Sequence, residues 1–516
     1  MPGDINNDGK VDSTDIRRGV QIALGQPPPA LQSEIAAGDM NRDGKVTVQD
    51  LVFISNTIAN RNRPPVADAS ASPDSGLAGT NIQLDATRSF DFDGNSLTYR
   101  WRQLHMNRFS TEYMTENEAI LSDSTSATPT FNPQWPGNYR FELQVAETTG
   151  LLDKDTVDVL VSKQGVRKLQ VKGINFYDVF GELGGPAFDV LPDDPDSMRA
   201  VLGRAMDGAV RANVEWIGIV PAAWYARINP LPEIRPDGNA LSLTNESDYA
   251  AIVSAAKAKG LKVVHEEQVA AGILPLRPGE IDSLEILMRS SAVWWDQWFT
   301  EYKNYLLPRA DLAQKYGVDM FVLNQFADFT FRPTVYPRYG ERWREIITAV
   351  RSRYSGRIAL DLINPDNLNF ADALDALQIT VFPGLYTTQS GRIKDVRNPT
   401  LDEIRTISED FLSDDEFYVG GKLPVYYVFI AGSVEGQDLP ELRLPPSERD
   451  FQEQVLYYEA FLQALEDESW IQGVFSERWD WFDEMDHPGL YFDAITGESP
   501  RSKPAEKAIK LWFGIY

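Results

Sequence analysis

Hydrophobic and polar residues follow three different rhythms along this chain. Near the start, apolar residues recur at helical spacing in two short stretches, Ile16, Val20, Ile22 and Leu24, then Leu51, Val52, Ile54 and Ile58. Each stretch follows a polar, Gly-containing run, a pattern that predicts two short amphipathic helices. From Val66 to about Ser162 the period falls to two, as in Tyr139, Phe141, Leu143 and Val145 or Val157, Val159 and Val161. Short alternating runs separated by Gly, Asp and Asn turns predict a β-sandwich. Beyond Val166, apolar runs alternate with amphipathic ones. Strands are predicted at 169–176, 214–221, 261–266, 320–325, 358–363, 376–382, 423–430 and 471–475, with helices at 197–212, 247–259, 294–316, 342–354 and 450–468. Eight strands interleaved with helices predict a (β/α)8 TIM barrel, whose chemistry sits at the C-terminal strand ends.

The expected architecture is therefore multidomain: a small all-α unit at 1–62, a β-sandwich at 63–163 and a TIM barrel at 164–516. The Pro64-Pro65 pair marks a short, semi-rigid joint after the first unit. The length of 516 residues suits three domains better than one.

The polar runs before the two N-terminal helices carry metal-ligand spacing. Asp4, Asn6, Asp8, Lys10, Asp12 and Asp15 occupy positions 1, 3, 5, 7, 9 and 12 of one loop; Asp39, Asn41, Asp43, Lys45, Thr47 and Asp50 repeat the spacing 35 residues later. Gly9 and Gly44 stand at position 6, and the Lys carbonyls supply the position-7 ligand. A hard cation such as calcium takes oxygens at this spacing. Two structural calcium ions are expected.

Composition narrows the functional classes. Asp and Glu total 76 against 49 Lys and Arg, a net charge of −27, which repels nucleic acid and anionic membranes. The chain has no cysteine and no apolar run long enough to span a membrane. Met1-Pro2-Gly3 directly precedes the first loop and reads as a start placed after a removed signal, so a secreted, monomeric protein is expected.

Three resemblances follow from these residues. Both calcium loops end in Asp rather than the usual Glu, and with the tandem repeat and following helices the first unit resembles a type I dockerin. That resemblance implies calcium binding and a cohesin partner, with Ser13-Thr14 and Val48-Gln49 at the contact positions; the alternative is a calcium-stabilised appendage without a partner. The run Val66-Ala67, Asp91, Asp93, Gly94, Asn95, Tyr99, Trp101 and Gly137-Asn138-Tyr139 resembles a polycystic-kidney-disease-type immunoglobulin-like domain, with Trp101 and Tyr139 as core residues and Asp91, Asp93 and Asn95 as a turn or a further calcium site. The order Trp295, Trp298, Tyr302, Gly317, Asn324, Trp343, Gly473, Trp479, Trp481 and Trp512 in the barrel is similar to glycoside hydrolase family 113, which implies a secreted, retaining polysaccharidase of the β-mannanase kind.

Glycoside hydrolysis needs two carboxylates. The family implies an Asn-Glu pair after strand 4 and a Glu after strand 7. Here Asn324 is followed by Gln325, an amide that cannot donate a proton usefully, and strand 7 carries Phe429. Gln325 is then an engineered Glu-to-Gln change, a mark of a natural non-catalytic carbohydrate-binding relative, or a sign that other carboxylates act. Candidates are Glu266, Glu267, Asp328, Asp361, Glu435, Glu477 and Asp480, of which Glu477 is the preferred nucleophile or anchor and Glu267, beside His265, the reserve. Trp224, Tyr225, Tyr386, Trp479 and Trp481 are the expected sugar-stacking rings, with Asn324 and His265 as polar contacts. Arg227, Arg235, Arg332, Arg338 and Arg392 are surface residues or contacts for an anionic glycan. The expected activity is endo-acting hydrolysis of a plant or algal polysaccharide.

Overall fold

The computed structural model describes residues 1–59, 62–177, 195–227, 230–235, 246–270, 291–324, 339–362, 365, 368–381, 398–419, 421–432, 449–477, 479 and 499–516. They form two compact units, one of Met1–His105 with Asn117–Lys163 and one of Met106–Glu116 with Gln164–Tyr516. Residues 1–62 and most of 63–163, read above as separate domains, fall together in the first unit.

In the first unit, helices α1 (Ser13–Ala23), α2 (Gln32–Gly38) and α3 (Val48–Ile58) follow the predicted loops. The two loops share one backbone: Asn7 and Gly9 take φ of 58° and 86°, and Arg42 and Gly44 take 63° and 87°. Gly at the second position permits that left-handed turn without steric cost. Asp15 and Asp50, both fully buried, close the loops identically, each accepting two backbone N–H bonds from the loop start (Ile5 and Asn6; Met40 and Asn41) and one from the helix cap. Ile5, Met40, Leu51, Phe53, Ile54 and Val66 form the core beneath.

The sandwich pairs one sheet of β1 (Ser70–Ser72), β3 (Ile82–Asp85) and β5 (Thr130–Phe131) with another of β2 (Ser75–Leu77), β7 (Leu152–Ser162), β6 (Gly137–Glu147) and β4 (Leu97–Leu104). Strict in-out alternation along β6 puts Tyr139, Phe141, Leu143 and Val145 into a core shared with Trp101 and Phe131. At the Asp91 turn, one carboxylate oxygen accepts the N–H groups of Asp93 and Asn95, and Asp93 pairs with Arg63 at 2.8 Å.

The second unit is a closed barrel of eight parallel strands: β8 (Val171–Tyr177), β9 (Trp216–Val220), β12 (Lys262–Ala270), β13 (Met320–Asn324), β14 (Arg357–Leu362), β15 (Ala376–Val381), β16 (Val425–Phe429) and β17 (Ile471–Ser476), with β17 returning to β8. A hairpin of β10 (Ala222–Arg227) and β11 (Glu233–Arg235) extends the sheet beside β12. Around the barrel lie α4 (Pro195–Arg211), α5 (Glu246–Ala258), α6 (Ala292–Tyr316), α7 (Gly340–Arg351), α8 (Leu401–Val419), α9 (Phe451–Ala464) and α10 (Pro504–Ile515).

Period-two alternation sorts every barrel strand into an inner and an outer face. The inner faces contribute Val171, Trp216, Val264, Met320, Val322, Ala359, Ala376, Tyr426, Val428 and Phe475, an apolar plug. Gly173 is required there, since a Cβ would lie 2.1 Å from the Phe475 ring. The next inward position on each strand toward its C-terminal end sits above this plug.

Candidate active site

Counting on in twos along the strands past the plug gives Asn175 on β8, Glu266 on β12, Asn324 on β13, Asp361 on β14, Gln378 and then Thr380 on β15, and Glu477 just after β17. All are buried. Three carboxylates thus share one polar layer with three amides and a hydroxyl. On β9 the corresponding residue is Gly218, where a Cβ would stand 1.9 Å from Asn175 Oδ1, so glycine makes room for the Asn175 side chain.

The amides tie the acids together. Asn324 Nδ2 donates to Glu266 Oε1 at 2.6 Å, and Gln378 Nε2 donates to Glu266 Oε2 at 2.6 Å and to Asp361 Oδ1 at 3.3 Å. Asn175 Nδ2 donates to Glu477 Oε2 at 2.7 Å and reaches Glu266 Oε2 at 3.5 Å. Thr380 Oγ1 donates to Asp361 Oδ1 at 2.7 Å. Among the described residues neither Glu266 nor Asp361 has a cationic partner. Burial pushes Glu266 up to about 7 against the amide bonds from Gln378 and Asn324 that favour its charged form. Asp361 lies well above the usual carboxylate range, through burial first and then the Glu266 charge, with a smaller contribution from Glu477. Among the described residues, Asn175 Oδ1, Gln378 Oε1 and Asp361 Oδ2 are buried acceptors without a hydrogen-bond partner. Such orphans are rare in folded proteins and mark this layer as built to receive donors.

Glu267 and His265 stand on the opposite face of β12, against the helices. Glu267 is fully buried, hydrogen-bonded to the Tyr305 hydroxyl and to His265 Nε2, and its Oε1 lies 3.0 Å from Arg309 Nε. His265 Nδ1 meets the Tyr249 hydroxyl at 2.7 Å. The expectation that Glu267 and His265 serve the sugar site is corrected by this parity: strand alternation turns them to the helical layer and turns Glu266 inward. Tyr302, one helical turn before Tyr305 on α6, donates to the Asn324 carbonyl at 2.8 Å, so one helix face holds the ends of both β12 and β13.

Trp479 is a second correction. Its indole is fully buried near Gly208 of α4, so it is a packing residue in place of a sugar platform. Phe429 stacks on Phe461 of α9 with centroids 4.3 Å apart and also faces outward. Asn324 and Glu477 are in the polar layer. Gln325, Asp328, Tyr386, Glu435, Asp480 and Trp481 lie outside the described residues, as do the side chains of Trp224 and Tyr225. Of the arginines, Arg227 lies 3.5 Å from Glu233 on the hairpin; the side chain of Arg235 and residues 332, 338 and 392 lie outside the described set. Asn175, Gln378 and Thr380 escaped the sequence reading. Counting in twos from the apolar plug residues would have found them.

In the first unit the loop donors are all oxygens, and the side chains of Asp4 and Asp39 each turn onto the N–H groups at loop positions 5 and 6. Among the described residues no three His, Cys, Asp or Glu are gathered as a metal would require. The shared loop backbone and the hard-oxygen donor set nevertheless fit calcium.

A closed parallel barrel with carboxylates gathered at the C-terminal ends of its strands is the build of a barrel glycoside hydrolase. The comparisons agree. The family model for Glycoside Hydrolase Family 113 matches residues 202–490. That is more than half of the chain, and the protein belongs to this family of retaining glycoside hydrolases. The Dockerin type I domain model matches residues 2–59. No curated protein matches the chain. Solved structures similar to it include a GH113 β-1,4-mannanase, 20% identical, covering 68% of this chain and 100% of its own, with a TM-score of 0.48. A GH113 β-mannanase from Alicyclobacillus acidocaldarius is 19% identical over 67% of this chain and 98% of its own, with a TM-score of 0.47. A family 5 mannosidase from Rhizomucor miehei is 12% identical over 68% and 93%, with a TM-score of 0.46. Among the described residues no helix is long and apolar enough to cross a membrane.

Proposed function

We propose that this chain is a secreted, endo-acting glycoside hydrolase that cleaves a plant or algal polysaccharide, β-mannan first, with Glu477 as nucleophile and Glu266 as general acid and base. One observation carries the reading. A single amide nitrogen, Asn175 Nδ2, lies 2.7 Å from an oxygen of Glu477 and 3.5 Å from an oxygen of Glu266. Those oxygens are therefore no more than about 6 Å apart, which suits the roughly 5–5.5 Å of a retaining pair better than the roughly 6.5–9.5 Å of an inverting one.

The steps follow from the chemistry of the two groups. Glu266, protonated near neutrality because it is buried, gives its proton to the glycosidic oxygen as the bond to the anomeric carbon breaks. Glu477 attacks that carbon from the other face and forms a glycosyl-enzyme ester. Glu266, now a carboxylate, takes a proton from water, which attacks the anomeric carbon and frees Glu477. Acceptors left over in the layer suit a neutral sugar rich in hydroxyl donors; three acids disfavour an anionic unit.

The test is release of reducing ends from β-1,4-mannan. Wild-type chain is expected to act with retention of anomeric configuration, and Glu477→Gln and Glu266→Gln are expected to abolish turnover. A second reading is favoured by Gln325, which stands one residue beyond Asn324 where the family implies the acid: the barrel binds glycan without cutting it. That reading expects an inert wild type, with Gln325→Glu either restoring cleavage (an inactivated enzyme) or leaving it inert (a binding protein).

The dockerin extends the proposal. Asp4, Asn6, Asp8, the Lys10 carbonyl, Asp12 and Asp15 would hold one calcium ion, and Asp39, Asn41, Asp43, the Lys45 carbonyl, Thr47 and Asp50 a second. The ions would supply positive charge that neutralises each acidic loop. A cohesin is the partner this domain type implies, with Ser13-Thr14 and Val48-Gln49 as contacts. Binding of an isolated cohesin in calcium, and its loss in chelator, tests that extension.

A further inference from the structure

We propose that the segment Met106–Glu116 braces the active site: it grips α9, and α9 in turn holds Ser476, the residue before Glu477, through Tyr458. Tyr458 and Tyr113 are then positioning residues for the nucleophile. The inference rests on the role given to Glu477 above and adds to it a stretch of chain that lies upstream of the barrel's first strand.

Between β4 and β5 the chain leaves the first unit, and Met106–Glu116 belongs to the second. Met106, Tyr113, Met114 and Thr115 are buried there. A helix on the outside of a barrel ordinarily wets its outer stripe. In α9, by contrast, Phe451 and every residue from Glu453 to Ala464 is buried, the polar Glu453, Gln454, Glu459 and Gln463 included. The segment meets this helix at two levels. At its start, the Arg108 carbonyl accepts the Phe451 N–H at 2.9 Å. Arg108 Nε lies 3.2 Å from Asp450 Oδ2, whose other oxygen caps α9 by accepting the Glu453 N–H at 2.8 Å. Gln452 Nε2 donates to Glu116 Oε2 at 3.2 Å. Two turns further on, the Glu459 carboxylate accepts the Tyr113 and Thr115 hydroxyls and the Glu116 N–H.

Consecutive residues of an α-helix point about 100° apart, so Tyr458 turns to the barrel while Glu459 turns to the segment. The Tyr458 hydroxyl meets Ser476 Oγ at 2.7 Å, both residues buried. Its ring packs edge-on against Phe429, with centroids 5.1 Å apart. Gln454, one turn earlier, donates to the Ala431 carbonyl at 2.9 Å. Along β17, Phe475 faces the plug, Ser476 the helices and Glu477 the polar layer. The Glu477 N–H donates to the Phe429 carbonyl at 2.9 Å. One helix therefore fixes both chains of the backbone bond that carries the nucleophile, and Asn175 has only the carboxylate left to orient. A shift of about 1 Å at a reacting group is enough to cost about a hundredfold in rate.

The experiment uses the full chain. Tyr458→Phe and Tyr113→Phe each remove one oxygen and keep the ring; Thr115→Val serves for the segment if Tyr113→Phe folds poorly. Amide hydrogen exchange, resolved to peptides, is compared at the end of β17 (475–477) and at the end of β13 (321–324). In the variants, exchange at the β17 end is expected to quicken about threefold to tenfold, the worth of one hydrogen bond, with β13 unchanged. On β-1,4-mannan, kcat is expected to fall by a similar factor at unchanged KM. The double variant is expected to fall no further in kcat than Tyr458→Phe alone, because both act through the same helix.

Exchange at the β17 end that stays as slow as wild type in Tyr458→Phe, or that quickens equally at β13, overturns the brace. Quickening in Tyr458→Phe with none in Tyr113→Phe or Thr115→Val overturns the segment's part in it. Local quickening with an unmoved kcat overturns the positioning role. If exchange quickens as expected while Glu477→Gln keeps full turnover, the assignment of Glu477 as nucleophile fails and the brace stands.

Discussion

Glu266 and Glu267 are neighbours in the chain and face opposite sides of β12: one joins the polar layer through Asn324 and Gln378, the other is gripped by Arg309, Tyr305 and His265 in the helical layer. The same residue type therefore does two different jobs, and substitution separates them.

Glu267→Gln is expected to cost about 3 kcal/mol of barrel stability, because it removes the fully buried carboxylate that pairs with the largely buried Arg309 guanidinium. Urea unfolding followed by Trp fluorescence measures this. Glu266→Gln is expected to leave stability at pH 8 equal to or above wild type, since a buried acid is replaced by an uncharged amide. A large stability loss in Glu266→Gln and none in Glu267→Gln would reverse the assignment.

Gly218→Ala puts a methyl group into the space of Asn175 Oδ1, with 1.9 Å between them. Overpacking of this kind costs about 1–3 kcal/mol, and the displaced amide can no longer hold Glu477. Activity is expected to fall with stability. Asn175→Ala removes the amide without overpacking; loss of a bond to a charged group, about 1.5–3 kcal/mol, corresponds to roughly tenfold to a hundredfold in kcat. A kcat unchanged in Asn175→Ala would show that the shared amide does not organise the acids.

Glu459 on α9 is a buried acid remote from the polar layer. It accepts from the Tyr113 hydroxyl at 2.6 Å, the Thr115 hydroxyl at 3.1 Å and the Glu116 N–H at 3.2 Å, yet burial pushes it up to about 7. Because the folded value is raised, its stabilising contribution is present below the ordinary carboxylate range and is lost as pH rises toward 7. Glu459→Gln is expected to flatten the fall in barrel Tm between pH 5 and 8, as measured by differential scanning calorimetry. A fall as steep as in wild type would show that Glu459 is ionised throughout.

Calcium titration by calorimetry is expected to show two sites in the full chain and one in either Asp15→Ala or Asp50→Ala. Chelator should lower the Tm of the first unit and leave the barrel transition in place. A chain whose first unit melts identically with and without chelator would remove calcium from the account.

Much of the fold was legible because burial on both faces leaves a recognisable trace: β13 reads Met320-Phe321-Val322-Leu323 and β15 reads Ala376-Leu377-Gln378-Ile379, apolar runs bounded by turn residues. The β10–β11 hairpin was missed since Ala222–Arg227 has no such trace, and α8 was missed where Asp and Glu crowd its polar face. The site was half legible. Glu477 stood out as an acid among aromatic residues, and strand 3 stood out through His265-Glu266-Glu267. Which of the two glutamates points inward depends on a parity that only the position of Val264 in the plug decides. Gln378 looked like an ordinary polar break in a strand, because its meaning comes from Asp361 and Glu266, which are distant in sequence.

The apolar plug beneath the polar layer leaves the barrel blind-ended. Among the described residues the plug bars water and hydronium from Glu266 on the side of the strands' N-terminal ends, so exchange at the acid runs over the C-terminal side, where the glycan is proposed to sit. Whatever lodges there corks the well, and solvent exchange at the acid has to wait until the lodger departs.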